Sequence, residues 1–244
     1  MKDNDFGVFV KYYDLIYLRK KNYQQEAKTV KEIITQFGKS PTGTLLDVGC
    51  GTGEHVKYLS STFRCAGIDV NSDMIQLARA KVPKADFKVS DMVSFRLQET
   101  FDVIICLFSS IGYARDFQSL VKTLRNFHRH LKDGGLVIVE PWVFKADYMK
   151  DHIELKTYET DDIKLVRMAT SKLEGSKWRV FMHYLIGENG NIRYANEVHE
   201  MLAIDYPDYL KAFKTALFQN VEYQKGNLWE GCRGLFIAHK KPLK

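Results

Sequence analysis

The chain has 244 residues, with 36 basic and 30 acidic side chains and a formal charge of +6. At 45% hydrophobic and 27% charged it has the composition of a folded globular protein, which excludes disorder and collagen-like structure. Its length suits one domain with an elaboration. No apolar run approaches the ~18–20 residues that span a bilayer. The start, Met1-Lys2-Asp3-Asn4-Asp5, lacks the basic-then-apolar layout of a secretory signal, so a soluble cytoplasmic protein is expected. Cys50, Cys65, Cys106 and Cys232 are scattered in or beside apolar stretches, with no C-x-x-C pair. Free cysteine in such surroundings behaves as a small hydrophobe, and a structural role is expected for all four.

In chain order, residues 21–37 place Ala27, Val30, Ile33, Ile34 and Phe37 at helical spacing, with Gly38 at the stop. Thr44-Leu45-Leu46-Asp47-Val48 has the pattern of a short buried strand. A glycine turn follows, then a helix through Val56 and Leu59. Residues 65–70 predict a second strand, after which Asn71 or Ser72 caps a helix carrying Met74, Ile75, Leu77 and Ala78. A weaker third strand covers residues 87–89 and ends near Asp91. The apolar run 101–108 predicts a strand buried on both faces. Phe117, Leu120, Val121, Leu124, Phe127 and Leu131 make one helical face, and Asp133-Gly134-Gly135 turns the chain into the strand at 136–142. Strands alternating with helices at this spacing imply a parallel sheet with helices on both faces.

The second half changes character. From about residue 156 to 203, alternating stretches are split by Glu188-Asn189-Gly190-Asn191, a hairpin signal. An antiparallel sheet inserted after the fifth strand is expected, then a helix over 207–219 and two strands, at 221–224 and 234–238, that rejoin the main sheet. The division is therefore a core over residues 1–142, an inserted β region over 143–205, and a closing helix with two strands over 206–244.

The segment that carries chemistry is Leu45-Leu46-Asp47-Val48-Gly49-Cys50-Gly51-Thr52-Gly53. Glycines between a first strand and the next helix let backbone pass close to a ligand at the carboxyl edge of the sheet. The spacing is G-x-G-x-G, and the dinucleotide pattern G-x-G-x-x-G fails at its last position. Asp69 ends the second strand, where a carboxylate can accept both hydroxyls of a ribose. Asp91 ends the third, where it can receive an adenine amino group, with Met92 beside it. A packing turn alone leaves three carboxylates at three successive strand ends unaccounted for.

This set resembles the class I S-adenosylmethionine-dependent methyltransferases, an α/β fold with a Rossmann-like, mostly parallel seven-stranded sheet. The resemblance implies S-adenosyl-L-methionine as cofactor, with Gly49, Gly51 and Gly53 approaching its methionyl part, Asp69 on the ribose, and Asp91 with Met92 framing the adenine. Asp47, Cys50, Val70, Met74 and Leu107 complete the expected cofactor set. A closer likeness spans nearly the whole chain. Tyr13-Asp14-Leu15-Ile16-Tyr17, Lys21-Asn22-Tyr23 with Glu26-Ala27, Phe108-Ser109-Ser110-Ile111-Gly112-Tyr113, Val139-Glu140-Pro141-Trp142 and Arg233-Gly234-Leu235-Phe236 are similar to motifs of the nucleotide-sugar N,N-dimethyltransferases, which finish desosamine and mycaminose on a dTDP carrier. Val143-Phe144 and Cys232-Arg233 depart from that family's Trp-Phe-Pro and Gly-Arg.

The resemblance implies N-methylation of a small amine, most simply an amino sugar on a nucleoside diphosphate. Tyr13 and Tyr113 are the candidate catalytic residues, as hydroxyls that aim the amine and help take its proton. Lys21, Tyr23, Ser109 and Arg233 are candidates for the diphosphate, with Arg233 weighted highest because guanidinium binds phosphate in bidentate fashion. The run Arg19-Lys20-Lys21 reads equally well as a solvated helix face. His199 and Trp142 are further substrate candidates, although Trp142, Trp178 and Trp229 also suit core or wall positions. His55 reads as a first-turn residue. His128 and His130 lie two apart on a helix and cannot share one metal, and no metal is expected. An O-methyltransferase, an RNA methyltransferase and a non-catalytic cofactor-binding protein are the rival readings. Leu107-Phe108-Ser109-Ser110 stands where base-flipping amino methyltransferases carry Asn-Pro-Pro-Tyr, so a nucleic-acid partner is not indicated. No membrane partner is expected, and a homodimer is left open.

Overall fold

A computed structural model of the chain describes residues 6–18, 21–38, 42–226, 228 and 232–241. Arg19, Lys20 and Trp229, named above, lie outside the described residues. Two helices open the fold, α1 (Phe6–Tyr17) and α2 (Tyr23–Phe37). Strands β1 (Gly43–Val48), β2 (Phe63–Asp69) and β3 (Asp86–Val89) follow, joined by α3 (Glu54–Leu59) and α4 (Ser72–Lys81). After β4 (Phe101–Cys106), a 3-10 turn at Ser110–Tyr113 leads to α5 (Phe117–His130) and β5 (Leu131–Val139). Strands β6 (Ile153–Glu159), β7 (Ile163–Glu174), β8 (Lys177–Glu188) and β9 (Asn191–Leu202) precede α6 (Tyr206–Thr215), β10 (Phe218–Lys225) and β11 (Gly234–Lys240).

The main sheet has seven strands in the order β10-β11-β5-β4-β1-β2-β3. β1 to β5 run parallel, whereas β11 is antiparallel to both β5 and β10. From β3 the chain crosses to β4 on the other side of β1, so the carboxyl ends of β1 and β4 form the switch point where open α/β sheets bind ligands. The central strands are buried on both faces, as their unbroken apolar runs require, and they separate two core clusters.

Local signals fix most boundaries. The Asn22 side chain accepts from the Gln25 amide at the start of α2, and Asn71 accepts from the amides of Asp73 and Met74 at the start of α4. Asn189 and Gly190, both with positive φ, make the two-residue turn between β8 and β9. The second sheet is four-stranded and antiparallel, β6-β7-β8-β9, inserted after β5. Several limits differ from expectation, among them the strand expected over 136–142, which spans Leu131–Val139. The strand expected to reach Phe108 stops at Cys106, because Phe108 and Ser109 both take positive φ. The first closing strand begins at Phe218, and the helix expected to reach residue 219 ends at Thr215, because Leu217 at φ 72° reverses the chain. β3 ends at Val89, which leaves Asp91 in the following loop.

α1 is tied at both faces. Lys11 and Tyr12 bond Glu188 at the end of β8, at 2.7 Å and 2.9 Å, and Arg193 on β9 donates to the Tyr12 hydroxyl at 2.9 Å. From the core side, Lys81 pairs with Asp14 at 3.0 Å and Glu54 at 2.5 Å, and Thr52 donates to Asp14 at 2.8 Å. No helix among the described residues is long and apolar enough to cross a membrane.

Candidate active site

The glycine turn, the end of β1 and the loop after β4 enclose a cleft of about 360 Å³, open to solvent and lined by Tyr13, Asp47, Gly51, Leu107, Phe108 and Ser110 among others. Three glycines with positive φ serve two purposes. A Cβ at Gly49 would lie 2.6 Å from the Ser110 Cβ, and one at Gly53 would lie 3.1 Å from the Ala78 Cβ and 3.2 Å from the Phe87 ring. Both are demanded by packing inside the protein. A Cβ at Gly51 would meet only the Tyr13 hydroxyl, at 3.9 Å, so Gly51 is the glycine that leaves room for a ligand.

Asp47 is 1% exposed and its Oδ2 has no hydrogen-bond partner. Burial, with help from the Asp69 charge, pushes its carboxyl up to about 8. An orphaned buried carboxylate oxygen facing a cleft fits a cation, and the α-ammonium of a methionyl group is one. The Asp69 carboxylate receives the Gly51 amide on one oxygen and the Asn71 amide on the other, each at 2.9 Å. Each oxygen keeps a lone pair for a ribose hydroxyl. Burial raises the Asp69 carboxyl, and those amides oppose the rise. Asp91 is exposed and accepts from the Val93 amide at 2.7 Å, while Met92 packs against the core beside it. The residues therefore fit S-adenosylmethionine along the line Asp47, Gly51, Asp69, Asp91.

The rest of the expected cofactor set is dispersed. Cys50 and Leu107 are buried and line the cleft. Val70 is 73% exposed next to Asp69, and Met74 is buried in the cluster beneath α1. Thr52, Glu54, His55, Phe108 and Ser110 line the cleft without having been expected there. His55 does sit in the first turn of α3, but its Nε2 also bonds buried Glu26 at 2.9 Å.

On the acceptor side, Tyr13 and Tyr23 share a hydroxyl hydrogen bond, and burial holds both phenols well above their ordinary range. The Tyr13 ring packs tilted against Tyr17 at 4.7 Å, and Tyr17 meets Phe108 edge-on at 5.0 Å. Tyr113 closes the 3-10 turn, 45% exposed, with its hydroxyl 2.7 Å from His199 Nδ1. The Nε2 of His199 lies 3.1 Å from Glu197 Oε1, which also receives the Tyr184 hydroxyl at 2.5 Å. Glu197 went unnoticed in the sequence. The signal was strand alternation: it lies two residues before His199 on β9, hence on the same inward face.

The residues expected at a diphosphate do not share one surface. Lys21 is neither a solvated charge nor a free cation, since its ammonium is buried, 3.1 Å from Glu26 and 3.7 Å over the Phe108 ring. Burial lowers its pKa, the neighbouring carboxylates opposing. Tyr23 is 6% exposed, and the Ser109 hydroxyl donates to the Pro141 carbonyl at 3.0 Å. Of the four, Arg233 alone is exposed. Trp142 packs edge-on against Trp178 at 6.1 Å, and a Cβ at Gly112 would strike it at 2.8 Å, so it is a wall of the active-site loop.

The comparisons with known proteins identify the family. A methyltransferase-domain family model matches residues 45–135. The dTDP-3-amino-3,4,6-trideoxy-alpha-D-glucopyranose N,N-dimethyltransferase of Streptomyces venezuelae is 33% identical over 93% of this chain and 95% of its own. The dTDP-3-amino-3,6-dideoxy-alpha-D-glucopyranose N,N-dimethyltransferase of Streptomyces fradiae is 32% identical over 95% and 91%. Among solved structures, DesVI of Streptomyces venezuelae superposes with a TM-score of 0.87 at 31% identity, covering 99% of this chain and 100% of that one. An amino pentose methyltransferase from Micromonospora echinaspora, solved with SAM bound, gives 0.85 at 27% identity, covering 99% of this chain and 100% of that one. With curated relatives above 30% identity matched over more than nine-tenths of both chains, the chain belongs to the S-adenosylmethionine-dependent methyltransferases, in the family of the dTDP-amino sugar N,N-dimethyltransferases.

Proposed function

We propose that this protein methylates the amine of an amino sugar carried on a nucleoside diphosphate, in the cytoplasm and as a homodimer. The observation that carries the reading is the cleft itself: an unpartnered buried Asp47 oxygen at the cofactor end and tyrosine hydroxyls at the other. When bound, S-adenosylmethionine supplies the methyl group and leaves as the thioether. The chain's own part is to hold and orient. Gly51 admits the methionyl backbone, Asp69 fixes the ribose, and Asp91 with Met92 borders the adenine. Tyr13 over Gly51 directs the acceptor amine at the methyl carbon. Orientation of this kind can supply roughly 7–11 kcal/mol of the barrier. Arg233, exposed beside β11, is the guanidinium we assign to the diphosphate. Mass spectrometry of dTDP-amino sugars incubated with cofactor and enzyme tests the reading. A gain of 14 mass units is expected for each methyl, and no gain on any amino sugar tried would refute it.

Four free thiols, three of them buried, suit a reducing cytoplasm. The dimer reading rests on the outward face of β6–β9. Strand register puts Ile153, Leu155, Met168, Leu185, Ile192 and Tyr194 on that one face, and each is 45% exposed or more. An apolar patch of this kind marks an interface, and a two-fold pairing of the patch with itself covers it. Light scattering should report a dimer, and Leu185→Glu should yield a monomer. A wild-type monomer at micromolar concentration would refute the pairing.

A further inference from the structure

We propose that Tyr113, His199 and Glu197 form a proton relay that strips the acceptor ammonium before methyl transfer. This rests on the reading of the acceptor as an amine. An aliphatic amine is largely protonated at neutral pH and has no lone pair with which to attack, so something must take the proton inside the site. Neither Tyr13 nor Tyr113 is basic enough alone, since both phenols are held protonated by their surroundings. The base stands one bond further back.

The charges around the imidazole set the direction of the chain. The Glu197 carboxylate is 2% exposed and its Oε1 lies 3.1 Å from His199 Nε2, near enough for its charge, rather than an aligned hydrogen bond, to favour hydrogen on Nε2. Nδ1 is then an acceptor, and the Tyr113 hydroxyl, 2.7 Å away, must donate to it. The Tyr113 oxygen is left with its lone pairs, which can only accept, and an amine N–H is what such an oxygen takes. In the step itself the ammonium N–H bond breaks and its electron pair stays on nitrogen as the attacking lone pair. The proton goes to the Tyr113 oxygen while the phenol's own proton passes to His199 Nδ1. The imidazolium so formed is held beside Glu197 and returns its proton to water after transfer. A second methylation repeats the step, because a monomethyl ammonium must again be deprotonated.

His199 and Glu197 are positioning residues in this scheme, and Tyr113 alone touches the amine. The other titratable or charged groups facing the relay are Tyr184 and Arg167 on the inserted sheet, Tyr13 and Tyr17 on α1, and Asp69 at the end of β2.

The test is His199→Asn in the full chain. Asparagine can still accept from Tyr113 but cannot take a proton. At pH near 7, kcat should fall about 10–100-fold, near the lower end of what general acid–base groups supply. The KM for the nucleotide sugar and the cofactor affinity should change less than about twofold. The deficit should close toward pH 9.5 or so, where the amine is already free. Wild-type kcat in this variant, or a loss equal at every pH, would overturn the relay and leave His199 a packing residue. Should the variant fail to bind cofactor, Tyr113→Phe cuts the same chain at its exposed end and must show the same pH-dependent deficit. Nitrogen-15 NMR of the wild-type protein reads the tautomer independently of any substrate. An Nε2–H form is expected, and an Nδ1–H form would overturn the proposal even if no amino sugar is methylated.

Discussion

Asp47→Asn should make the free protein more stable and the cofactor complex weaker. Buried without a partner for Oδ2, the Asp47 carboxyl titrates at about 8 and not at its ordinary 3.8, an ionisation penalty on the order of 5 kcal/mol. Its folded-state pKa is raised, so the folded protein holds this proton where the unfolded chain has lost it. The favourable contribution is complete below about pH 4, falls by about 1.4 kcal/mol per pH unit, and is gone above about pH 8. Asparagine keeps the shape and removes that loss, so thermal melts should show the variant gaining on wild type between pH 5 and 8. Binding works in the other direction. A cofactor ammonium at Asp47 draws the carboxyl into its ionised form, so binding below pH 8 should release close to one proton. Affinity should then rise up to about tenfold per pH unit. Calorimetry in two buffers of different ionisation enthalpy measures the proton count. In Asp47→Asn the release should vanish and affinity should drop by about 1.5–3 kcal/mol, the range for a lost charge-assisted hydrogen bond. A variant that binds as tightly with the same proton release, or that melts below wild type at pH 8, would refute the reasoning.

Gly51→Ala should abolish cofactor binding while costing only about 1–2 kcal/mol of stability for its left-handed φ, whereas Gly53→Ala should unfold more readily because its Cβ meets Ala78 and Phe87; calorimetry and melts on both variants separate ligand space from packing space. Asp69→Ala should weaken cofactor binding by about 1.5–3 kcal/mol and also loosen the loop, since the Gly51 and Asn71 amides lose their acceptor; hydrogen exchange at those amides checks the second effect. Arg233→Ala should cost roughly 10- to 100-fold in kcat/KM on a nucleotide-linked amino sugar and little on the free sugar, as steady-state rates on the two substrates would show.

What the sequence made legible was local. The Asn71 cap, the Asn189-Gly190 turn and the glycine turn after β1 are specified by residues within a few positions of one another, and each stands where expected. The parallel sheet with its covering helices followed because alternating strands and helices leave few ways to connect. The errors came where a distant partner decided the outcome. Helical periodicity runs through Ala216, and nothing local reveals that Leu217 turns outward, 67% exposed, so that Phe218 can pack on Phe213 from a strand. Lys21 sits in a run of charges, and only the fold brings Glu26 and the Phe108 ring around it. Likewise His199 was visible as a candidate, but its contact with Tyr113, 86 residues away, belongs to tertiary structure.

The two-sided attachment of α1 also sets an order of assembly. Its core-side contact joins Lys81 to Asp14 across 67 residues, and its other contact joins Lys11 to Glu188 across 177. Closing so long a loop costs entropy before any contact repays it. During synthesis α1 leaves the ribosome long before β8, and it cannot dock fully until β8 has been made. Tyr12, Ile16 and Tyr17, buried in the finished protein, stay uncovered until then. The helix that roofs the cleft is thus made well before the strand that completes its docking, and a chain cut short before Glu188 would present those side chains to solvent.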